Sequence, residues 1–280
     1  MMASTTAAVA SQQAQILRTH EEGDLDRITL PAVQAVIYTP ATLPDWLNEV
    51  TSAVELEFLR IPRTILPQAD QREIADWLEN NLPMDVLEPA ARTALKRDIL
   101  GLPERIARMT RVSRFHFRIF AAAPTTNCGF HVDTVAPGAV KWGLVRVYNG
   151  AGTEYVDPND VVSMRDFYRY LSRRERLERE RGEAQGCGNT ERFARLEAEI
   201  QILDQEHAFL TPRGKVQVAP SRSIVAFKHL DVSLHWSDHS KALAWIHCSP
   251  MRGRARLVVN VAGASTGLGA TRPGTCEMVR

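Results

Sequence analysis

Arg114-Phe115-His116-Phe117-Arg118-Ile119-Phe120 alternates apolar and polar side chains, and a strand sends such alternating sets to opposite faces. The period decides the fold, because the segment divides a helical stretch from a strand-rich one. Before it, from about Thr42 to Val112, apolar residues recur at helical spacing. Leu43, Trp46, Leu47, Val50 and Val54 fall on one stripe, and Ile74, Trp77 and Leu78 on another. Asp70 followed by Glu73 predicts a capping box, and further helices are expected to begin near Pro89 and at Pro103. After it, strand-like runs at 129–132, 140–148, 153–156, 216–218, 223–227, 243–248 and 255–261 are separated by Gly, Pro and Asp turns. That spacing predicts an antiparallel sandwich or barrel.

The strand groups are interrupted at 163–210 by a heavily charged helical segment. Ser163 and Asp166 suit the start of one helix and Asn189 or Thr190 the start of a second, whose Phe193, Leu196, Ile200 and Leu203 form an apolar seam. A helical hairpin inserted in the barrel is expected, a candidate lid or homodimer contact. The remaining organisation reads as a disordered lead-in over 1–25, a helical support region over 26–111, a catalytic domain over 112–262 and a C-terminal tail over 263–280.

Charge and cysteine content narrow the partners. With 34 basic residues against 33 acidic and a net charge of +1, no broad electropositive face is expected, so nucleic acid and membrane surfaces are poor partners and a small molecule a better one. Cys128, Cys187, Cys248 and Cys276 are scattered with no Cys-x-x-Cys pair, which indicates neither a disulfide framework nor a zinc ribbon and fits a reducing cytoplasm. No apolar run approaches the roughly 20 residues of a membrane span.

Chemistry concentrates in Cys128-Gly129-Phe130-His131-Val132-Asp133. On a strand, His131 and Asp133 project from one face and can take adjacent positions on a cation. A third ligand is expected from a neighbouring strand, and His247 in Ala244-Trp245-Ile246-His247-Cys248 is the best candidate. If the chain turns through 249–254 and returns as a paired strand, His247 stands opposite Arg256 at about 5 Å. The guanidinium fork there would match a carboxylate in a bidentate pair. Two imidazoles and one carboxylate leave about three positions open on one side, the facial arrangement of iron(II) oxygenases.

Other residues read less sharply. Arg146 alternates with Trp142 and Leu144 and is a candidate for binding co-substrate or substrate, or for pairing with a core carboxylate. His116 and Arg118 share a strand face that substrate could touch, but read first as structural. His229, His235 and His239 lie in a polar stretch without strand pattern, expected to be a loop at the barrel mouth. Cys128 and Cys248 stand an odd number of residues from the nearest ligand, so their sulfurs are expected to face away.

His131-Val132-Asp133, then His247, then Arg256 resembles the His-x-Asp…His…Arg pattern of the 2-oxoglutarate-dependent oxygenases. The resemblance implies a mainly β fold with α additions, the double-stranded β-helix or cupin-like jelly roll. It also implies Fe(II), 2-oxoglutarate and O2 as cofactor and co-substrates. Gly150-Ala151-Gly152-Thr153-Glu154-Tyr155 looks like the glycine-rich segment of taurine-dioxygenase-like members, and on that basis alone Thr153 is a candidate 2-oxoglutarate ligand. The same motifs, with His247-Cys248-Ser249-Pro250 and Arg256-Leu257, are similar to a bacterial family of unknown function. The spacing from His247 to Arg256 is shorter than in many taurine-dioxygenase-like enzymes, which leaves Arg252 and Arg254 as rival carboxylate binders. The leading expectation is hydroxylation, desaturation or ring closure at a C–H bond of a small amino-acid-like metabolite, in biosynthesis. The alternatives are a cupin-like metal-dependent dioxygenase or isomerase that does not use 2-oxoglutarate, and a non-catalytic metal-binding module.

Overall fold

The protein is described here from a computed structural model, which places residues 14–124, 129–241, 243 and 245–264. Cys128, Cys276, the first thirteen residues of the expected lead-in and the tail from 265 onward lie outside the described residues.

The chain opens with β1 (Gln15–Thr19) and β2 (Val33–Tyr38), which pair in parallel. Helix α1 (Asp45–Glu55), strand β3 (Ile61–Ala69) and helices α2 (Gln71–Asn81) and α3 (Pro89–Thr110) follow. The strand-rich part comprises β4 (Phe115–Ala122), β5 (Thr134–Val135), β6 (Trp142–Val147) and β7 (Glu154–Val156). Helices α4 (Met164–Gly186) and α5 (Thr190–Glu206) then interrupt it, before β8 (Val216–Val218), β9 (Ile224–Lys228), β10 (Leu230–Asp231), β11 (His247–Cys248) and β12 (Arg256–Gly263).

Seven strands form one sheet in the order β1-β2-β9-β6-β12-β4-β3; β11, β7 and β8 form a second, and β10 pairs with β5. From β4 onward the chain repeatedly crosses between the large sheet and the small one. An isolated bridge between His131 and His247 extends the small sheet by one position. No ladder among the described residues joins the two sheets into a closed barrel.

Alternation along the strands explains the layering. Phe115, Phe117, Ile119 and Ala121 of β4, with Leu257, Val259 and Val261 of β12, pack on the helical layer that includes Leu95, Ile99 and Ile106 of α3. The opposite face of the large sheet presents Val145, Val147, Val225, Phe227 and Val258 to Tyr155 and Trp245 of the small-sheet side. The outer face of the small sheet, with Val156, Ile246 and Cys248, is covered by α4 and α5 through Phe167, Leu171, Leu196, Ile200 and Leu203. The Cys248 sulfur therefore sits on the side away from His247.

Several expectations need correction. Residues 15–25 are not a loose lead-in: β1 adds to the large sheet, and a 3-10 helix over Glu22–Thr29 buries Leu25 and Ile28. The support region contains strands, because Val33-Gln34-Ala35-Val36-Ile37 is buried continuously and so shows no alternation. β3 lies at the sheet edge, where Pro62 and Pro67 are tolerated. Pro103 does not open a fourth helix. It lies within α3, whose buried stripe Leu95, Ile99, Leu102 and Ile106 carries the helix through it. Local capping follows the sequence: Asp70 and Glu73 make a reciprocal capping box, Ser163 caps α4 and Asn189 caps α5. Among the described residues no helix is long and apolar enough to cross a membrane.

Candidate metal centre

His131, Asp133 and His247 each offer one ligand atom, and these atoms lie within 4.8 Å of one another. Backbone pairing sets two of them. His131 N donates to His247 O at 2.9 Å and His247 N to His131 O at 3.0 Å, the reciprocal pair of an antiparallel bridge. The rings leave adjacent backbones on one side, with centroids 4.5 Å apart. Asp133, two residues beyond His131, returns to the same side.

The tautomers are fixed by carbonyls. His131 Nδ1 lies 2.9 Å from Gly129 O and His247 Nδ1 lies 2.9 Å from Trp245 O. A carbonyl only accepts, so each Nδ1 carries a proton, and in the neutral ring Nε2 is left with the lone pair. Those Nε2 atoms stand 3.6 Å and 4.0 Å from the two Asp133 carboxylate oxygens. Both separations exceed hydrogen-bonding range and suit donors that share a cation. Two neutral nitrogen donors and a carboxylate, with outer-shell carbonyls in place, fit a divalent transition metal.

Electrostatics favour the required protonation states. Burial, helped by the neighbouring His131 ring, lowers the His247 pKa to about 3 and keeps it neutral. Burial pushes the Asp133 carboxyl up, but His247, His131, His229 and Arg118 outweigh it and hold the group below the ordinary carboxylate range. Trp245 stacks on His247 at 4.5 Å between centroids with an interplanar angle of 12°, and Phe227 lies 5.1 Å from it. The His247 ring is walled on the inner side by aromatic surface.

The expected arginine partner is elsewhere. His247 pairs with Tyr155 in the small sheet, whereas Arg256 opens β12 in the large sheet opposite Ala122. Residues 249–255 thus carry the chain from one sheet to the other, and His247 and Arg256 are not a cross-strand pair. Phe227, beneath His247, is level with Gly143 and Ala262 in the ladders. From Ala262 to Arg256 is six residues, roughly 20 Å along a strand. Arg256 is buried with Nη1 donating to Ala151 O at 2.7 Å, and its stem packs on Gly150, whose φ is +70°. Of its rivals, Arg254 pairs with Glu55 at 2.9 Å, and Arg252 lines a cleft on the outer side of the small sheet with Phe130 and Glu154.

Arg146 shares a strand face with Trp142 and Leu144, as expected, but this is the helix-covered face. Its guanidinium meets Asp98 of α3 at 3.3 Å and donates to Arg222 O at 2.5 Å. It joins neither His131, Asp133 nor His247. Thr153 is buried just before β7, two residues from the ladder partner of His247, and its carbonyl accepts from Ala219 N at 2.9 Å.

Arg118 of β4 faces the side of the large sheet opposite the helical layer. It pairs with Asn260, one like-facing position from His116 and Ala262. Its neighbour on the same face, Phe120, packs against the inner cluster. Its charge acts on both Asp133 and His229. Alternation in 114–120 contained this signal, but it does not say which face looks inward. His229 is a second surprise: it is buried at the end of β9 rather than in a mouth loop, with its ring against Gly143. Burial lowers its pKa, with Asp133 opposing.

A model of the family described as "Protein of unknown function (DUF1826)" matches residues 19–261. The chain belongs to this family. No curated protein matches it. Among solved structures, it is similar to the rice dioxygenase for auxin oxidation, with 11% identity and a TM-score of 0.42 over 90% of this chain and 83% of that one. It is also similar to the 2-oxoglutarate complex of the Arabidopsis thaliana dioxygenase for auxin oxidation 1, with 10% identity and a TM-score of 0.42 over 96% and 100%. A third is the cobalt(II) complex of a Kdo hydroxylase, a non-heme Fe(II) alphaketoglutarate dependent dioxygenase, with 14% identity and a TM-score of 0.42 over 89% of each chain. At such identity the likeness assigns no activity, and the site stands on the residues of this chain.

Proposed function

We propose that this chain is a non-haem Fe(II)/2-oxoglutarate-dependent oxygenase on a double-stranded β-helix. The convergence of His131, Asp133 and His247, with both Nε2 lone pairs turned to the carboxylate, carries the reading. The alternation of strands between the two sheets supports the fold reading.

His131 Nε2, His247 Nε2 and an Asp133 oxygen would hold the metal from one side. Ferrous iron there would supply the chemistry that couples O2 reduction to decarboxylation of 2-oxoglutarate, giving succinate and CO2 and leaving one oxygen atom for the substrate. Arg118, in place of Arg256, would pair with the far carboxylate of the co-substrate, since its register beside Asn260 and its shared face with Phe120 put it on the inner side of the large sheet. Phe227, Trp245, Val145 and Tyr155 would exclude water from the inner side. The substrate would be small and amino-acid-like, in keeping with a net charge of +1 and the polar positions His116 and Asn260 near Arg118.

The test is succinate formation from 2-oxoglutarate with iron(II), ascorbate and oxygen, across a panel of amino acids. Turnover stimulated by a panel member and abolished in Asp133→Ala supports the reading. Iron binding without any succinate contradicts it and favours a metal site of another class.

A further inference from the structure

We infer that the α4–α5 hairpin positions His131, with Tyr170, Arg174 and Asp204 holding the single peptide group on which that ligand is hung. This rests on the metal-binding part of the proposed function and is independent of the co-substrate.

The peptide between Gly129 and Phe130 is bonded on both sides. Its carbonyl accepts from His131 Nδ1 at 2.9 Å, and its N–H donates to Tyr170 Oη at 3.1 Å. A peptide is planar, so holding the N–H fixes the direction of the carbonyl and, through it, the tautomer and ring orientation of His131. Tyr170 is itself held: its hydroxyl donates to Asp204 Oδ1 at 2.6 Å. Arg174 Nε donates to both oxygens of the same carboxylate, at 2.9 and 3.1 Å. Arg174 also pairs with Glu178 at 2.5 Å. Arg174 and Asp204 are both buried.

Contact with the ligand segment is direct. A Cβ on Gly129 would overlap the Arg174 side chain and stand 2.6 Å from Tyr170 Oη. Only glycine lets the backbone lie against these two side chains. The Phe130 ring packs edge-on against Phe209 at 5.7 Å. A hairpin that merely covered the sheet would need only apolar contacts, and a buried ion pair is no better than an apolar one for stability. His131 has particular need of support, because it belongs to an isolated bridge, whereas His247 lies in a strand and stacks on Trp245.

The test compares Tyr170→Phe and Asp204→Asn with Leu177→Ala, which trims a buried apolar contact of the hairpin and leaves the polar chain intact. Cobalt(II) is the probe, at a temperature where every variant is folded. Tyr170→Phe and Asp204→Asn should raise the cobalt(II) Kd about tenfold to a hundredfold and alter the ligand-field spectrum. In the metal-free Tyr170→Phe protein, the Phe130 amide hydrogen should exchange faster. Leu177→Ala should lower Tm while leaving Kd, spectrum and Phe130 exchange unchanged. Wild-type Kd and spectrum in Tyr170→Phe, unaltered Phe130 exchange, or an equal loss in Leu177→Ala would overturn the inference. Cobalt(II) binding by the wild type without 2-oxoglutarate turnover would sink only the oxygenase reading; no cobalt(II) binding at all would sink both.

Discussion

His131 and His247 exchange both peptide hydrogen bonds across one antiparallel bridge, at 2.9 and 3.0 Å. The spacing of the two imidazoles is therefore set by backbone pairing rather than by long side chains. Asp133 enters two residues later on the same side, so backbone pairing and residue spacing bring the three donors together.

Asp133→Ala leaves two neutral imidazoles and no anionic donor. Cobalt(II) affinity should fall by more than the tenfold to hundredfold typical of losing an outer-shell partner. In the wild type, cobalt(II) at a hundred times its Kd should stabilise the fold by about 2.7 kcal/mol. Isothermal titration and thermal unfolding check this, and an equal stabilisation of Asp133→Ala would point to another metal site.

Arg118→Ala should raise the KM for 2-oxoglutarate about tenfold to a hundredfold, the worth of a charge-assisted bond of about 1.5–3 kcal/mol. Arg256→Ala should leave that KM unchanged. It should instead destabilise the protein by about 1–3 kcal/mol, because the Ala151 carbonyl loses its donor. Steady-state kinetics and urea unfolding separate the two, and the reverse pattern would restore Arg256 as the anchor.

Buried His247 also sets a pH dependence of stability. Burial holds His247 at about 3 when folded, against about 6.5 in an unfolded chain. Between those values the unfolded chain takes up a proton that the folded one refuses, so stability falls as pH falls, by up to about 1.4 kcal/mol per unit. Asp133, whose folded pKa is also depressed, adds to the loss below about pH 4. In the metal-free protein, His247→Gln should flatten the fall between pH 6 and pH 5 by about 1 kcal/mol. Parallel curves from urea titrations would contradict it.

The sequence made the cluster of His131, Asp133 and His247 easier to read than its surroundings. His131 and Asp133 share a face by strand period alone, and His247 is needed to complete the set. The capping residues Asp70, Ser163 and Asn189 act locally and lie where a local rule places them. Arg256 was misplaced because a turn after a short strand can form a hairpin or cross to the other sheet, and residue spacing is the same for both. Arg146 shows a related limit: alternation groups it with Leu144 but does not say that this face meets Asp98 of α3 rather than the site. Tyr170, Arg174 and Asp204 were illegible because their meeting with Gly129 depends on how α4 and α5 pack on the small sheet.

Under the proposed function, iron(II) held by His131, Asp133 and His247 chelates 2-oxoglutarate. Anaerobic titration of 2-oxoglutarate into the iron(II)-loaded protein tests it most directly. A weak visible charge-transfer band that saturates at one equivalent, is absent in Asp133→Ala and needs more co-substrate in Arg118→Ala is the predicted result. An iron-loaded protein that gives no band at any concentration, or gives the same band without Asp133, would contradict it.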